Sequence, residues 1–192
     1  MKENYILSNY VEKPVATPQL KKQNWFRPKV DPNLLRPLME KSDALALKDT
    51  ILWLGSMFIF ATLAVLLWPS WWSLLFWLPY GVLYGSASDS RWHECGHKTA
   101  FKTEWMNNVV YQIASFMMIR SPMVWRSSHV RHHTDTIIVG RDPEIHAMRP
   151  PDLLRITLIF FGILDTYHLL LRMGLHASGR IDPEEATYIR KQ

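Results

Sequence analysis

Two apolar stretches follow one another in the first half of the chain and dominate its hydrophobic pattern. Residues 51–68 run for 18 positions without a charged side chain, and residues 71–88 are uncharged as well. At about 1.5 Å per residue, a helix of the first length covers roughly 27 Å, close to the hydrocarbon thickness of a bilayer. The pattern predicts a transmembrane hairpin with helices at about 51–68 and 71–90. A buried hairpin in a water-soluble protein is the weaker alternative, because adjacent uncharged stretches of this length are unusual there.

Aromatic and basic residues indicate how this hairpin is oriented. Trp68, Trp71 and Trp72 lie where the two stretches meet, as expected of side chains at a membrane interface. Residues 1–48 carry nine Lys and Arg, and the other thirteen all lie at or after Arg91. The positive-inside rule therefore places both flanks of the hairpin on the cytoplasmic side.

The remaining pattern predicts amphipathic helices. Residues 104–119 are expected to form an interfacial helix, and a new helix is expected to start at Ser121 and Pro122, a cap residue followed by proline in the first turn. A polar loop is predicted for residues 135–152, followed by a helix over residues 153–179.

The predicted fold class is an all-α membrane protein, in which a transmembrane hairpin and amphipathic helices carry a cytosolic cluster of histidines. The expected organisation is a polar, proline-rich N-terminal region at 1–48, a membrane domain at 49–180 and a polar tail at 181–192. A net charge of +5 does not indicate nucleic-acid binding, because the basic residues flank the apolar block instead of interleaving with base-stacking aromatics.

Five of the eight histidines fall into two short motifs, HECGH and HVRHH. On a helix, residues spaced by three or four positions share one face, so each motif directs its imidazoles one way. Neutral imidazole is the commonest nitrogen ligand of transition metals. The spacing therefore predicts that two helices wall a metal cavity with His93, His97, His129, His132 and His133.

The type of ligand indicates the metal. The chain has one cysteine, Cys95, which rules out a structural zinc site built from several thiolates and is expected to miss the cavity. An open, histidine-rich site fits iron that reacts with dioxygen. Nearby carboxylates are expected to orient the imidazoles, with Asp89, Glu94, Asp135 and Asp142 as candidates.

HECGH followed by HVRHH, after a hydrophobic hairpin, resembles the membrane fatty acid desaturase and hydroxylase superfamily. The longer stretches WHECGHKTAF and HVRHHTDTIIVGRDPEI resemble its bacterial acyl-desaturase and hydrocarbon-oxygenase branch, over roughly residues 45–180. The resemblance implies two non-haem iron ions bound by the five histidines, dioxygen as oxidant, and a fatty-acyl or hydrocarbon substrate taken from the lipid bilayer. It also implies an electron donor such as a ferredoxin, rubredoxin or cytochrome.

One feature of that family is missing from the chain. Members carry a third histidine box, whereas the later histidines here are single residues. Five ligands are too few for two irons that each take about four to six donors. The chain thus resembles the N-terminal portion of such an enzyme. The missing ligands are expected from His168, His176, carboxylates, a second copy of the chain or a companion chain that carries the third box.

Two alternatives remain open at the level of sequence. HECGH also satisfies the H-E-x-x-H motif of zinc proteases, in which Glu94 would be the general base and Asp165 a third ligand. That interpretation assigns no role to the second motif. The other alternative is a membrane remnant without catalytic activity, which the missing third box favours.

Overall fold

The computed structural model describes Phe26 and residues 28–138, 141–144 and 151–188, so most of the predicted N-terminal region lies outside the described residues. Within these ranges every regular element is helical, and no strand occurs. The α-helices are α1 (Pro32–Leu38), α2 (Asp43–Leu66), α3 (Leu74–Val82), α4 (Ser88–Gly96), α5 (Glu104–Met117), α6 (Pro122–Asp135), α7 (Leu153–Phe160) and α8 (Ile163–Ala177). Residues 28–122 form one compact unit, here the first, and the described residues from Met123 onward belong to a second; the two are described separately.

α2 is the longest element of the first unit. Its first turn is capped by Ser42, whose hydroxyl accepts a hydrogen bond from the Leu45 amide at 3.4 Å. At about 1.5 Å per residue its 24 residues extend over roughly 36 Å. Among the described residues it is the one helix that is long and apolar enough to cross a membrane by itself, and it contains most of the first predicted span.

The second predicted span is not one uniform α-helix. Between Trp71 and Gly96 the helical backbone begins as a 3₁₀ turn (Trp71–Ser73), continues as α3, passes through a π-helical segment (Leu83–Ala87) and becomes α4. Pro79 lies inside α3 and has no amide hydrogen to donate. Trp53 of α2 donates to the carbonyl oxygen of Leu83 at 3.2 Å, where the π-helical segment starts. Hydropathy alone does not reveal such changes in hydrogen bonding.

α4 and α5 pack closely against each other in the first unit. The predicted amphipathic helix is present as α5, and one face of it is buried with helical spacing at Asn107, Val110, Tyr111, Ala114 and Ser115. Trp92 of α4 stacks on the Tyr111 ring, with 6.5 Å between the ring centroids. The Asn107 side chain accepts from the Phe101 amide at 3.0 Å and donates to its carbonyl at 2.8 Å, which orders the loop before α5.

The second unit contains nearly all of α6, together with α7 and α8. The helix predicted over residues 153–179 is instead two helices, α7 and α8, that meet at an angle of 70°. Gly162 lies at the bend with φ of +69°, a left-handed conformation that costs glycine little and other residues more. Taken together, α7 and α8 are long and apolar enough to form one bent membrane span.

Candidate metal centre

The first histidine pair lies at the end of α4. His93 belongs to its last turn, and His97 follows Gly96 directly, with its amide still donating to the His93 carbonyl at 3.1 Å. One helical turn therefore separates the two imidazoles, and their Nε2 atoms are 3.1 Å apart.

The chain leaves the helical path immediately after this pair. Lys98 adopts a left-handed conformation with φ of +59°, and the Thr99 amide returns to the Glu94 carbonyl at 3.0 Å. This is the bond that closes many helix C-termini. Lys41 adds a hydrogen bond from its ammonium group to the Lys98 carbonyl at 2.8 Å.

Cys95 lies between the two histidines in sequence but faces the core. Its side chain is completely buried, whereas both imidazoles are exposed. Burial raises the pKa of the Cys95 thiol to about 11, so the protonated thiol is the stable form near neutral pH. A protonated, buried thiol is a poor metal ligand, which fits the expectation that Cys95 takes no part.

The second cluster lies in the last two turns of α6, whose first residue is Pro122 as predicted. His129 is buried, and its Nε2 atom is 3.1 Å from Nε2 of His133. Trp125 stacks on the His129 ring from the preceding turn, with 4.3 Å between the centroids and an interplanar angle of 18°. His132 lies beside both rings at centroid distances of 5.5 and 5.7 Å.

Two carboxylates hold the Nδ1 atoms of this cluster. Both oxygens of Asp142 lie 2.9 Å from Nδ1 of His132, and Oε2 of Glu144 lies 2.8 Å from Nδ1 of His129. Sequence reasoning named Asp142 but missed Glu144. The sequence did contain a signal: Asp142 and Glu144 are two acids separated by one proline, and His129 and His132 are two histidines on one helix face. Each acid could therefore pair with one ring.

Asp142 is stabilised in its ionised form. Burial is the largest influence on its pKa and raises it. The hydrogen bonds from the Glu144 amide, the His132 ring and the Ile137 amide together outweigh that effect and hold the pKa of Asp142 below its ordinary value. A carboxylate in this state accepts hydrogen bonds only, so the His132 nitrogen that faces it is the protonated one.

The spacing of the ring nitrogens fits metal binding. Two nitrogens that each lie about 2.1 Å from one ion, at roughly a right angle, are about 3.0 Å apart. Both observed Nε2 pairs are separated by 3.1 Å. Within the second unit the Nδ1 atoms of His129 and His132 face carboxylates, so Nε2 is the ring nitrogen through which each could bind a metal.

The other predicted carboxylates contact arginines. Asp89 lies 3.3 Å from Arg120, and Glu94 lies 3.3 Å from Arg91. Asp135 is buried and lies 2.7 Å from Arg141.

The two histidines predicted as additional ligands lie on α8. His168 is exposed beside the ring of Tyr167, at a centroid distance of 5.4 Å. Nε2 of His176 lies 2.7 Å from Oε2 of the buried Glu185. Glu185 belongs to a 3₁₀ turn (Glu185–Thr187) that folds back towards α8, in the region predicted as a polar tail.

Comparisons with known proteins agree with this chemistry. A sequence model of the family described as "Fatty acid desaturase" matches residues 67–185. The omega-6 fatty acid desaturase, endoplasmic reticulum isozyme 1, of Glycine max is 34% identical over 96 residues, which cover 48% of this chain and 24% of that protein. The sn-1 oleoyl-lipid 12-desaturase of Anabaena variabilis is 34% identical over 58 residues, which cover 30% of this chain and 17% of that protein. The similarity thus spans about a quarter or less of each relative. No solved structure matches the chain.

Proposed function

Because the chain belongs to the fatty acid desaturase family, we propose that it carries part of a membrane-bound, non-haem diiron oxidase. This enzyme would use dioxygen to desaturate or hydroxylate an aliphatic lipid chain. The names of the two relatives, one a fatty acid desaturase and the other an oleoyl-lipid desaturase, favour a fatty-acyl chain over a free hydrocarbon as substrate.

The observation that carries the proposal is the preparation of His129 and His132 for metal binding. Their Nδ1 atoms face Glu144 and Asp142 at 2.8 and 2.9 Å, so each ring directs the lone pair of Nε2 away from the carboxylate. The 3.1 Å separation of the Nε2 atoms of His129 and His133 adds the spacing expected of two ligands of one ion.

The proposed ligand set joins the two histidine motifs. The iron ligands would be His93, His97, His129, His132 and His133. His168 and His176 are candidates for additional ligands, and a companion chain with a third histidine box is the other source. Two bound irons would supply the redox chemistry by which dioxygen oxidises an unactivated C–H bond.

The protein's own residues would provide the setting for that reaction. Asp142 would hold the His132 ring in one tautomer and one orientation. α2 would anchor the chain in the bilayer, from which an aliphatic substrate can enter, with the histidines on the cytoplasmic side. Electrons would come from a donor such as a ferredoxin, rubredoxin or cytochrome.

The metal assignment is tested by replacing His132 with alanine in the purified chain. We expect iron content after reconstitution to fall by at least half, because the substitution removes one imidazole ligand and leaves Asp142 without a ring to orient. Val130→Ala, on the exposed side of the same helix, is the matched control and should bind iron as the wild type does. Unchanged iron in His132→Ala would contradict the assignment, and zinc at one ion per chain would favour the protease alternative.

Activity requires a separate experiment. The chain would be co-expressed with a protein that carries a third histidine box, and oxygen-dependent oxidation of membrane acyl chains would be followed by mass spectrometry. New double bonds or hydroxyl groups that disappear in His132→Ala would support the oxidase. Their absence with every such companion, in a chain that binds iron, would favour a remnant without catalytic activity.

A further inference from the structure

Residues 141–144, here called the carboxylate segment, run along one face of α6 in the opposite direction. Arg141 contacts Asp135 in the last turn of α6, and Asp142 contacts His132 one turn earlier. Glu144 contacts His129 a further turn back. Each step along the segment therefore meets the next turn of the helix, which fixes its register.

Glu144 is bound by more than the imidazole. Its Oε1 atom lies 3.2 Å from the hydroxyl of the buried Ser128, and its amide donates to Asp142 Oδ1 at 3.0 Å. The hydrogen bond from the Glu144 amide links the backbone of Glu144 to the carboxylate of Asp142. A movement of Glu144 would thus also disturb the partner of His132.

The His129 ring has little freedom beside this carboxylate. Its side chain is buried, Trp125 covers one face, and Nε2 lies 3.1 Å from Nε2 of His133. Two neutral imidazoles at that distance can form a hydrogen bond if one of them carries its proton on Nε2. His129 has to be the acceptor in such a pair if its single proton is on Nδ1.

We propose that Glu144 is a positioning residue that fixes the proton of His129 on Nδ1 and thereby keeps the Nε2 lone pair available for metal. An ionised carboxylate accepts hydrogen bonds only, so an Nδ1 lone pair facing Oε2 at 2.8 Å would be repelled. The metal part of this inference rests on the proposed function, whereas the tautomer belongs to the metal-free chain.

The tautomer is measured on the metal-free, ¹⁵N-histidine-labelled chain in detergent, at about pH 8.5, where ordinary imidazoles are neutral. We expect the nitrogen spectrum of His129, assigned from the signals lost in His129→Gln, to show Nδ1–H. In Glu144→Ala the same ring should lose this preference. Nδ1–H in both proteins, or Nε2–H in the wild type, would overturn the inference.

Glu144→Gln separates positioning from folding. The glutamine side chain fills the same space, but its amide can donate to Nδ1 as well as accept from it, so this variant should fold like the wild type and show Nδ1–H to an extent between those of wild type and Glu144→Ala. Glu184→Gln, which removes an exposed carboxylate elsewhere in the second unit, is the control for loss of charge and should change nothing. A glutamine variant that folds, as judged by circular dichroism, and shows Nδ1–H as fully as the wild type would also overturn the inference, because the acceptor-only carboxylate would then not select the tautomer.

Metal affinity supplies the second measurement, with Co²⁺ as the probe because its absorption reports coordination. We expect about 10- to 100-fold weaker binding by Glu144→Ala and a smaller loss in Glu144→Gln. Equal affinity in Glu144→Ala and wild type would overturn the positioning role. If the wild type shows the expected tautomer but binds neither Co²⁺ nor Fe²⁺, the proposed function fails while the tautomer assignment stands.

Discussion

Arg141 holds the buried carboxylate of Asp135 with two nitrogens, at 2.7 Å from Nη2 to Oδ1 and 3.3 Å from Nε to Oδ2. The contact attaches the start of the carboxylate segment to the end of α6. Asp142 and Glu144, the two acids that face the histidines, follow Arg141 in the chain. The ion pair therefore sets the position along α6 from which they extend. It connects the stability of the second unit with the geometry of the candidate metal site.

We predict that Arg141→Ala destabilises the folded chain by about 1–3 kcal/mol. The loss is smaller than the 3–5 kcal/mol typical of a stranded buried charge, because Arg131 Nε remains 3.9 Å from the same carboxylate. Denaturant unfolding followed by circular dichroism measures the change. A double-mutant cycle with Asp135→Ala should yield a coupling energy well above zero, and additive effects would show that the pair contributes nothing.

Asp142→Ala is expected to weaken Co²⁺ binding by about 10- to 100-fold. The substitution removes the acceptor of the His132 Nδ1–H, and also that of the Ile137 amide at 2.8 Å, where Ile137 has a left-handed backbone. The ring therefore loses its tautomer preference and part of its support. Absorption titration of the detergent-solubilised chain measures the affinity.

Asp165→Ala is the matched control for that substitution. Asp165 is an exposed carboxylate in the first turn of α8, and its loss should leave Co²⁺ binding unchanged. The same variant examines the protease alternative, in which Asp165 is a ligand. Equal losses in the two variants would contradict the role given to Asp142 and would support that alternative.

Much of the helical framework could be predicted from spacing. The start of α6 at Pro122 followed from its cap signal, and intervals of three and four residues predicted that His129 and His133 share a face. These inferences succeed because they depend on neighbours within one helical turn.

Contacts between residues that lie far apart in the sequence could not be predicted in the same way. Glu144 meets His129 across 15 positions, and no local pattern specifies the turn that brings them together. Asp89 was expected to orient an imidazole, but its contact with Arg120 spans 31 positions. The bend at Gly162 was missed because a single glycine within an apolar helical pattern is compatible with an unbroken helix.

The bend itself can be tested with two glycine substitutions of opposite effect. Gly162→Ala should destabilise the chain by about 1 kcal/mol, because alanine resists φ of +69° even where no neighbouring atom lies near the added Cβ. Gly174→Ala, inside α8 and equally free of steric conflict, should stabilise it by about 0.5–1 kcal/mol. Unfolding free energies measure both, and stabilisation by Gly162→Ala would show that α7 and α8 join without the left-handed residue.

Cys95 predicts a pH dependence of stability in the first unit. Burial raises its pKa from the ordinary value of 9.0 to about 11, so the unfolded chain releases the thiol proton first as pH rises. Its contribution to stability is thus fully present below about pH 9 and is lost between about pH 9 and 11. Cys95→Ala should show a shallower fall over this window in denaturant unfolding, and parallel curves would mean that the thiol titrates normally in the fold.

The buried carboxylate of Glu185 should anchor the last described turn to α8. It receives Nε2 of His176 at 2.7 Å and lies 3.6 Å from Nε of Arg172, while its own side chain is 1% exposed. We predict that Glu185→Ala costs about 1–2 kcal/mol, since both partners remain partly exposed and can regain water. The adjacent Glu184→Ala removes a 55% exposed carboxylate that lies 3.8 Å from the same arginine, and should cost less than about 0.5 kcal/mol. Equal losses of unfolding free energy in the two variants would mean that the buried contacts of Glu185 with His176 and Arg172 add no more stability than the exposed carboxylate of Glu184 does.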